Sequence, residues 1–234
     1  MDYICALFKV ICSKIVQLEA MDALFEAIDF VENPLYERII SDIANEHYSV
    51  IEHFFSPEEV SILRTALLAK HEEDAFKKAA IGNRVNETIE SSIRGDVILW
   101  MDETNANTAE IVFFDKINSL IQYLNRTCFM GILQKEFHYA LYPKGTFYKR
   151  HIDTFQNDDR RKLSFVCYLN NKDWKAENGG ELILYLDQNN KVTEKVIHPF
   201  PGKVVIFESQ IIEHEVKPIL KNQRLSITGW LKTR

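Results

Sequence analysis

The sequence lacks the features that mark several large classes of protein. Its four cysteines form no Cys-x-x-Cys pair and no regular spacing, which argues against a disulfide framework or a zinc knuckle and favours a reducing compartment. No apolar run approaches the roughly 20 residues of a membrane span, because Lys9 and Lys14 interrupt the N-terminal one. A basic start and a small-residue cleavage site, typical of a secretory signal, are also missing. We therefore expect a cytoplasmic protein that engages no membrane.

An excess of positive charge is missing too. The formal net charge of −6 gives no overall attraction to nucleic acid, and basic pairs such as Lys149-Arg150 are local. A length of 234 residues with 46% hydrophobic and 26% charged residues is typical of an ordinary globular protein. We predict a helical extension over residues 1–46 and one larger domain over residues 47–234, with a β-rich core from about residue 133 onward.

The first half of the chain is predominantly helical in pattern. Ser56 followed by Pro57, Glu58 and Glu59 is a typical helix start, with an N-cap, a proline in the first turn and acidic groups near the positive end of the helix dipole. The spacing of apolar residues predicts one or two helices over 1–30, then helices over 35–45, 57 to about 76, and 109–128. Strands are predicted over 47–55 and 97–100, with a loop over 79–86. Met21 is an alternative start.

The second half changes to short strands separated by turn residues. Strands are predicted over 134–141, 163–169, 181–186, 191–197, 203–208 and 225–231. Many short strands are typical of a sandwich or jelly roll, and helices that precede strands favour an α+β protein in which the helices buttress one sheet face.

Two histidines and an aspartate have the composition of a metal site. Residues two apart on a strand point to the same face, so His151 and Asp153 can converge on one point, and His214 on another strand can complete the set. Two histidines and one carboxylate form the facial triad of non-haem iron(II) oxygenases, although the same set also suits zinc. Alone, His-x-Asp also fits a core histidine beside a turn aspartate.

Arg224 favours an iron site that also binds a carboxylate ligand over a zinc site. Arg224 lies ten residues after His214, and Arg224, Ser226, Thr228 and Trp230 share one face of a strand-like run. An arginine grips a carboxylate through two parallel hydrogen bonds. A dicarboxylate that chelates iron at one end and pairs with Arg224 at the other would be 2-oxoglutarate.

The chain resembles the 2-oxoglutarate/Fe(II) prolyl hydroxylases of the kind that act on hypoxia-inducible factor, and their bacterial relatives. The likeness covers roughly residues 48–230 and is strongest from Phe137 onward. The matching segments are Ile93-Arg-Gly-Asp96 through Trp100, Tyr142-Pro143, Tyr148-Lys-Arg-His-Ile-Asp153, Cys167-Tyr-Leu-Asn170, Lys172-Asp-Trp174, Gly179-Gly180, His214-Glu-Val216 and Arg224-Leu-Ser-Ile-Thr-Gly-Trp230. Departures are the missing zinc-finger region, the N-terminal helices and Gly229, where relatives often carry a larger residue.

The resemblance implies a double-stranded β-helix and a role for each site residue. The implied iron ligands are His151, Asp153 and His214. The implied 2-oxoglutarate residues are Arg224, Tyr168, Tyr142 and Thr228. Arg94, Asp96, Tyr148 and Trp230 are implied in the lid and the substrate site, and no catalytic residue beyond the metal centre is implied.

The implied activity is hydroxylation of a prolyl residue in a protein or peptide, with Fe(II), 2-oxoglutarate and dioxygen, and with ascorbate as a further candidate ligand. Succinate and carbon dioxide would be released. Two alternatives stay open: hydroxylation of a small molecule or another side chain, and a non-catalytic jelly roll that senses a metal or metabolite. The oligomeric state is also open.

Overall fold

The computed structural model describes residues 31–73, 75–79, 90, 92–154, 159–188 and 191–234. These residues fall into two units divided between Glu37 and Arg38, and the larger unit carries all the described strands and the candidate site. The helices predicted over 1–30, the alternative start at Met21 and nearly all of the loop predicted over 79–86 lie outside the described residues. The proposed domain boundary at residue 46 stays a prediction.

Three α-helices lie among the described residues, and one of them begins directly after the predicted N-cap Ser56. They are α1 (Pro34–Glu46), α2 (Pro57–Glu72) and α3 (Thr108–Cys128). Ser56 and Glu59 form a reciprocal capping box at the start of α2, and Asn107 and Glu110 form another at the start of α3. None of the described helices combines the length and the apolar character that crossing a bilayer requires.

Eleven strands among the described residues form two antiparallel sheets. The strands are β1 (Tyr48–Ile51), β2 (Lys77–Lys78), β3 (Val97–Trp100), β4 (Gln134–Tyr142), β5 (Tyr148–His151), β6 (Arg161–Tyr168), β7 (Leu182–Gln188), β8 (Lys191–Ile197), β9 (Val204–Glu208), β10 (Glu213–Val216) and β11 (Arg224–Lys232). The seven-stranded sheet has the order β1-β9-β6-β11-β4-β3-β2, and the four-stranded sheet has the order β5-β10-β7-β8. This arrangement confirms the predicted jelly roll, although the first strand ends at Ile51, earlier than expected.

The core lies between the two sheets. Its buried cluster takes side chains from both, including Val166 and Phe207 from the larger sheet and Leu184 and Val216 from the smaller one. Burial of this apolar surface is the main force that holds the sheets together. The site described below opens within this same interior.

Helix α3 covers the other face of the seven-stranded sheet through aromatic rings. Phe113 on α3 packs edge-on against Phe137 of β4 at a centroid distance of 5.0 Å and against Phe165 of β6 at 6.1 Å. Gly229 of β11 lies opposite both phenylalanines in the strand register. A Cβ on Gly229 would collide with the ring of Phe137 and the carbonyl of Glu136. Glycine at position 229, where members of the resembled family often carry a larger residue, therefore leaves room for the phenylalanine rings that face α3.

Candidate metal centre

Cross-strand pairing brings the two predicted histidine ligands together. His151 is the last residue of β5 and lies directly opposite His214 of β10. Side chains at paired positions of an antiparallel sheet lie on the same face, and the two imidazole centroids are 4.2 Å apart. One ligating atom from each of His151, Asp153 and His214 lies within 4.8 Å of the others. That spacing suits three ligands of one metal ion.

Asp153 reaches this point by a different route from the predicted one. Strand β5 ends at His151, and Asp153 lies in a bend beyond it, so strand alternation does not orient its carboxylate. Instead, Ser164 Oγ of β6 donates a 2.6 Å hydrogen bond to Asp153 Oδ2, and Ser209 Oγ lies 2.9 Å from Ser164 Oγ. Arg161 Nη1 donates to the Asp153 carbonyl at 2.9 Å. Contacts from residues distant in sequence, and not strand alternation, therefore orient the Asp153 carboxylate.

Backbone carbonyls fix the orientation of both imidazoles. His151 Nδ1 lies 2.8 Å from the Lys149 carbonyl, and His214 Nδ1 lies 3.3 Å from the Ile212 carbonyl. A carbonyl can only accept, so Nδ1 carries the proton in each ring and Nε2 keeps its lone pair. His151 Nε2 and His214 Nε2 lie 3.5 and 3.6 Å from the two Asp153 oxygens.

The electrostatics favour the protonation states that bind a metal. Burial, with the adjacent His151, lowers the pKa of His214 to about 4. Burial opposes ionisation of Asp153, but the adjacent His214 and His151 and the hydroxyl of Ser164 outweigh it and hold the pKa of Asp153 below its ordinary value. At neutral pH the pair therefore offers a neutral imidazole and a carboxylate, as metal ligation requires.

A single cavity of about 530 Å³ gathers most of the predicted site residues. Nine of the eleven line it: His151, Asp153, His214, Arg224, Tyr142, Thr228, Arg94, Tyr148 and Trp230. Tyr168 and Asp96 do not line it, but each contacts an arginine that does, Arg224 and Arg94 respectively. We call this space the first cavity.

Arg224 places a buried positive charge on the first cavity. The residue is 2% exposed, and its guanidinium donates to the Gly180 carbonyl at 3.1 Å and to Ser226 Oγ at 3.2 Å. The guanidinium carbon also lies about equally far from two aromatic rings, 5.0 Å from Tyr142 and 4.9 Å from Tyr168. No carboxylate of the described residues pairs with it, and a buried charge without a counterion is costly. A ligand carboxylate would supply the missing charge.

Tyr168 gives independent support for a ligand carboxylate beside Arg224. The residue is fully buried, and its hydroxyl has no hydrogen-bond partner among the described residues. Burial raises the pKa of Tyr168, and the neighbouring Arg224 opposes that rise. A hydroxyl left unpaired beside a buried guanidinium matches the far carboxylate of 2-oxoglutarate, and the His/Asp/His set matches iron at the other end.

The Arg94-Gly-Asp96 segment packs against the strand that carries His151. Arg94 forms a local ion pair with Asp96 through bonds of 2.8 and 2.6 Å, and Asp96 is buried. The Arg94 guanidinium carbon lies 4.3 Å from the Tyr148 ring centroid, and Tyr148 stacks on His151 at 3.6 Å. A continuous contact therefore links the segment to a candidate ligand. Its role as a lid stays a prediction.

An aromatic wall completes the first cavity, and two of its members are absent from the predicted set. Trp230 packs beneath the Arg161 guanidinium carbon at 3.5 Å and beside His138 at 5.6 Å. Trp100, which is 52% exposed, packs against His138 at 4.9 Å. His138 lies four residues before Tyr142 on β4, so strand alternation could have identified it. Nothing comparable in the sequence signals Ser164 or Ser209.

The model of the 2OG-Fe(II) oxygenase superfamily matches residues 137–232. Among solved structures, a prolyl-4-hydroxylase of Pseudomonas putida is similar, with 33% identity and a TM-score of 0.76 over 86% of this chain and 100% of that chain. A prolyl hydroxylase of Trichoplax adhaerens, solved with a peptide fragment of the oxygen degradation domain of hypoxia-inducible factor, has 26% identity and a TM-score of 0.74. That similarity covers 85% of this chain and 89% of the other.

Curated relatives in cyanobacteria carry a related description. An uncharacterised PKHD-type hydroxylase of Synechocystis is 26% identical over 202 residues, which is 80% of this chain. A PKHD-type hydroxylase of Synechococcus is 33% identical over 90 residues, which is 38% of this chain. The matched regions span 63% and 38% of the lengths of these two relatives.

Proposed function

The chain belongs to the 2-oxoglutarate/Fe(II) oxygenase superfamily, and on this premise we propose that it hydroxylates a prolyl residue in a protein substrate, with release of succinate and carbon dioxide. The observation that carries the proposal is the first cavity itself. His151, Asp153 and His214 offer three convergent ligand atoms there, and Arg224 lines the same cavity as a buried cation.

Each predicted residue has a role in this proposal. His151, Asp153 and His214 would hold Fe(II), which supplies the oxidative chemistry with dioxygen and 2-oxoglutarate when bound. Arg224 and the Tyr168 hydroxyl would bind the far carboxylate, with Tyr142 and Thr228 beside it. Tyr148, the Arg94–Asp96 pair and Trp230 would position the substrate and exclude water from the cavity.

The aromatic side chains at the first cavity favour a proline residue of a polypeptide as the substrate. Trp230, His138 and the half-exposed Trp100 offer flat apolar surface at the first cavity, and such surface suits a proline ring, which has no hydrogen-bond donor in its side chain. The similar Trichoplax enzyme was solved with a peptide. By analogy, we propose a peptide segment of a protein as the substrate of this chain.

The decisive experiment is succinate release by the full chain with Fe(II) and 2-oxoglutarate, with and without protein from a cell extract. We expect release that rises with added protein and is absent for His214→Ala. Protein-stimulated release with the gain of one oxygen atom on proline, located by peptide mass spectrometry, would support the proposal.

Two other outcomes would each overturn part of the proposal. Binding of 2-oxoglutarate without any succinate would favour the non-catalytic sensor. Succinate release stimulated only by small molecules, or oxygen found on another side chain, would retain the oxygenase and refute the prolyl substrate.

A further inference from the structure

The described part of the lining of the first cavity is rich in positive charge. It contains five lysine and arginine side chains and a single carboxylate, that of Asp153, although the whole chain has a formal net charge of −6. The five cations are Lys77, Lys78, Arg94, Arg161 and Arg224. A local excess of cations in an acidic chain favours an anionic ligand at that place.

Three of the five cations already have a counterpart. Arg94 pairs with Asp96 at 2.6 Å, and Arg161 pairs with Glu136 at 2.8 Å. Arg224 is the proposed partner of the far carboxylate of 2-oxoglutarate, and the single carboxylate of the lining belongs to the proposed metal centre. The metal and the cosubstrate therefore leave two positive charges of the lining without a counterpart among the described residues.

Lys77 and Lys78 are these two cations. They form β2, both are exposed, and no carboxylate of the described residues lies within ion-pair distance of either. Lys77 is paired with Ile98 of β3, and side chains at paired positions lie on the same face of a sheet. Ile98 and Trp100 alternate on that face and also line the cavity. The register therefore places the Lys77 side chain on the face of the sheet that borders the first cavity.

The backbone of β2 is held beside the surface proposed to bind the proline ring. β2 is the edge strand of the seven-stranded sheet, and the next residue, Ala79, donates its N–H to the Asp96 carbonyl at 3.0 Å. Trp100 of that surface is 52% exposed and lies on the neighbouring strand. Adjacent strands lie about 4.8 Å apart, so a segment bound at Trp100 has the long lysine side chains within reach.

We propose that Lys77, with Lys78 beside it, binds an acidic side chain of the substrate protein close to the target proline. This inference rests on the proposed prolyl hydroxylase function and narrows the substrate to prolines with a nearby glutamate or aspartate. An exposed ion pair contributes little affinity by itself, so the lysines select among proline-containing segments. Two such cations in a chain with a net charge of −6 suit a carboxylate side chain better than a nucleic acid.

The test measures peptide binding to the full chain by fluorescence anisotropy, with Fe(II) and 2-oxoglutarate present and dioxygen excluded so that no turnover occurs. Three labelled peptides of equal length carry a central proline flanked on both sides by glutamate, by glutamine or by lysine. We expect the glutamate peptide to bind about fivefold more tightly than the glutamine peptide at low salt, and the lysine peptide to bind most weakly. Added salt should reduce these differences, because it screens the charges.

Substitutions of the two lysines identify the charges responsible. Lys77→Gln should remove most of the preference for the glutamate peptide, and Lys78→Gln a smaller part. The double variant Lys77→Glu/Lys78→Glu should reverse the preference, so that the lysine peptide binds most tightly, which a purely structural role of β2 would not produce. Lys172→Gln/Lys175→Gln removes two exposed lysines that do not line the first cavity. This matched control should keep the preference unchanged.

Several results would overturn the proposal. They are the absence of saturable binding of the glutamate peptide at millimolar concentration, equal affinity for the glutamate and glutamine peptides, and a glutamate preference that persists in Lys77→Glu/Lys78→Glu. Tighter binding of a thymidine oligonucleotide than of the glutamate peptide would assign the lysines to nucleic acid instead.

Readmission of dioxygen separates this inference from the proposed function. A glutamate preference in binding without any oxygen gained on proline would retain the lysine site and count against the prolyl hydroxylase. Oxygen gained equally by all three peptides would retain the hydroxylase and overturn the lysine site.

Discussion

The two ends of the first cavity are built on opposite principles. At the metal end, the charged group has neighbours within the protein: Asp153 lies between two imidazoles and accepts a hydrogen bond from Ser164. At the other end, which we call the anchor end, Arg224 and Tyr168 are buried, and among the described residues no carboxylate pairs with the first and no partner bonds the hydroxyl of the second. The metal end brings a carboxylate and two imidazoles together, as a cation requires, whereas the anchor end presents a buried cation and a hydroxyl, as an anion requires.

The two ends also belong to different sheets. His151 and His214 lie on β5 and β10 of the four-stranded sheet, whereas Arg224 and Tyr168 lie on adjacent central strands of the seven-stranded sheet. Strand β6 links the ends, because it carries both Tyr168 and the Ser164 that supports Asp153. The comparison teaches that loss of a metal-end group should release the metal, while loss of an anchor-end group should affect only the cosubstrate.

The largest effect is expected at the metal end. His214→Ala removes one of three ligands, so iron affinity should fall by more than the roughly 10–100-fold typical of losing a supporting residue. Succinate release should fall to background, measured beside the metal content of the dialysed protein. His71→Ala, on the exposed face of α2, should change neither. Retention of iron and activity by His214→Ala would refute the metal centre.

The next effect is expected at the anchor end. Arg224→Lys replaces a planar fork by a point charge, so the Kd for 2-oxoglutarate should rise roughly 10–100-fold while iron affinity stays unchanged. Calorimetric titration checks both values. The exposed Arg38→Lys is the control. An equal loss of iron and 2-oxoglutarate affinity would show that the two ends are not separable.

A smaller effect tests the link between the ends. Ser164→Ala removes the hydrogen bond that holds Asp153, so iron affinity should fall about tenfold and 2-oxoglutarate affinity should fall less. Ser209→Ala, which removes only the next hydroxyl along, should have a weaker effect of the same sign. Unchanged iron affinity in both variants would mean that the bend alone orients Asp153.

The smallest effect concerns the unpaired hydroxyl. Tyr168→Phe should weaken 2-oxoglutarate binding about fivefold, the equivalent of one hydrogen bond of ~1 kcal/mol. The thermal midpoint of the ligand-free chain should stay the same or rise, because the hydroxyl has no hydrogen-bond partner among the described residues. Tyr185→Phe removes a hydroxyl bonded to Glu215 outside the first cavity and should leave 2-oxoglutarate binding unchanged. A destabilised ligand-free Tyr168→Phe would reveal a structural partner.

Local sequence signals predicted most elements and the composition of the site. Ser56 with Glu59 marked the start of α2, and alternation on β11 placed Arg224 and Ser226 on one face, where they are hydrogen-bonded. Alternation failed for Asp153, because β5 ends two residues earlier and a serine from another strand orients the carboxylate. The predicted roles of the individual residues still await the experiments above.

What the sequence determined alone is the set of groups with the right chemistry: imidazole, carboxylate and guanidinium on strand-like segments, whose preferences act over a few residues. Only the tertiary structure decided how they meet. The pairing of β5 with β10 set the histidines face to face. The closing of two sheets over one interior buried Arg224 without a carboxylate, and the Tyr168 hydroxyl without a hydrogen-bond partner, among the described residues. These outcomes depend on contacts between residues far apart in the chain, which no local pattern specifies.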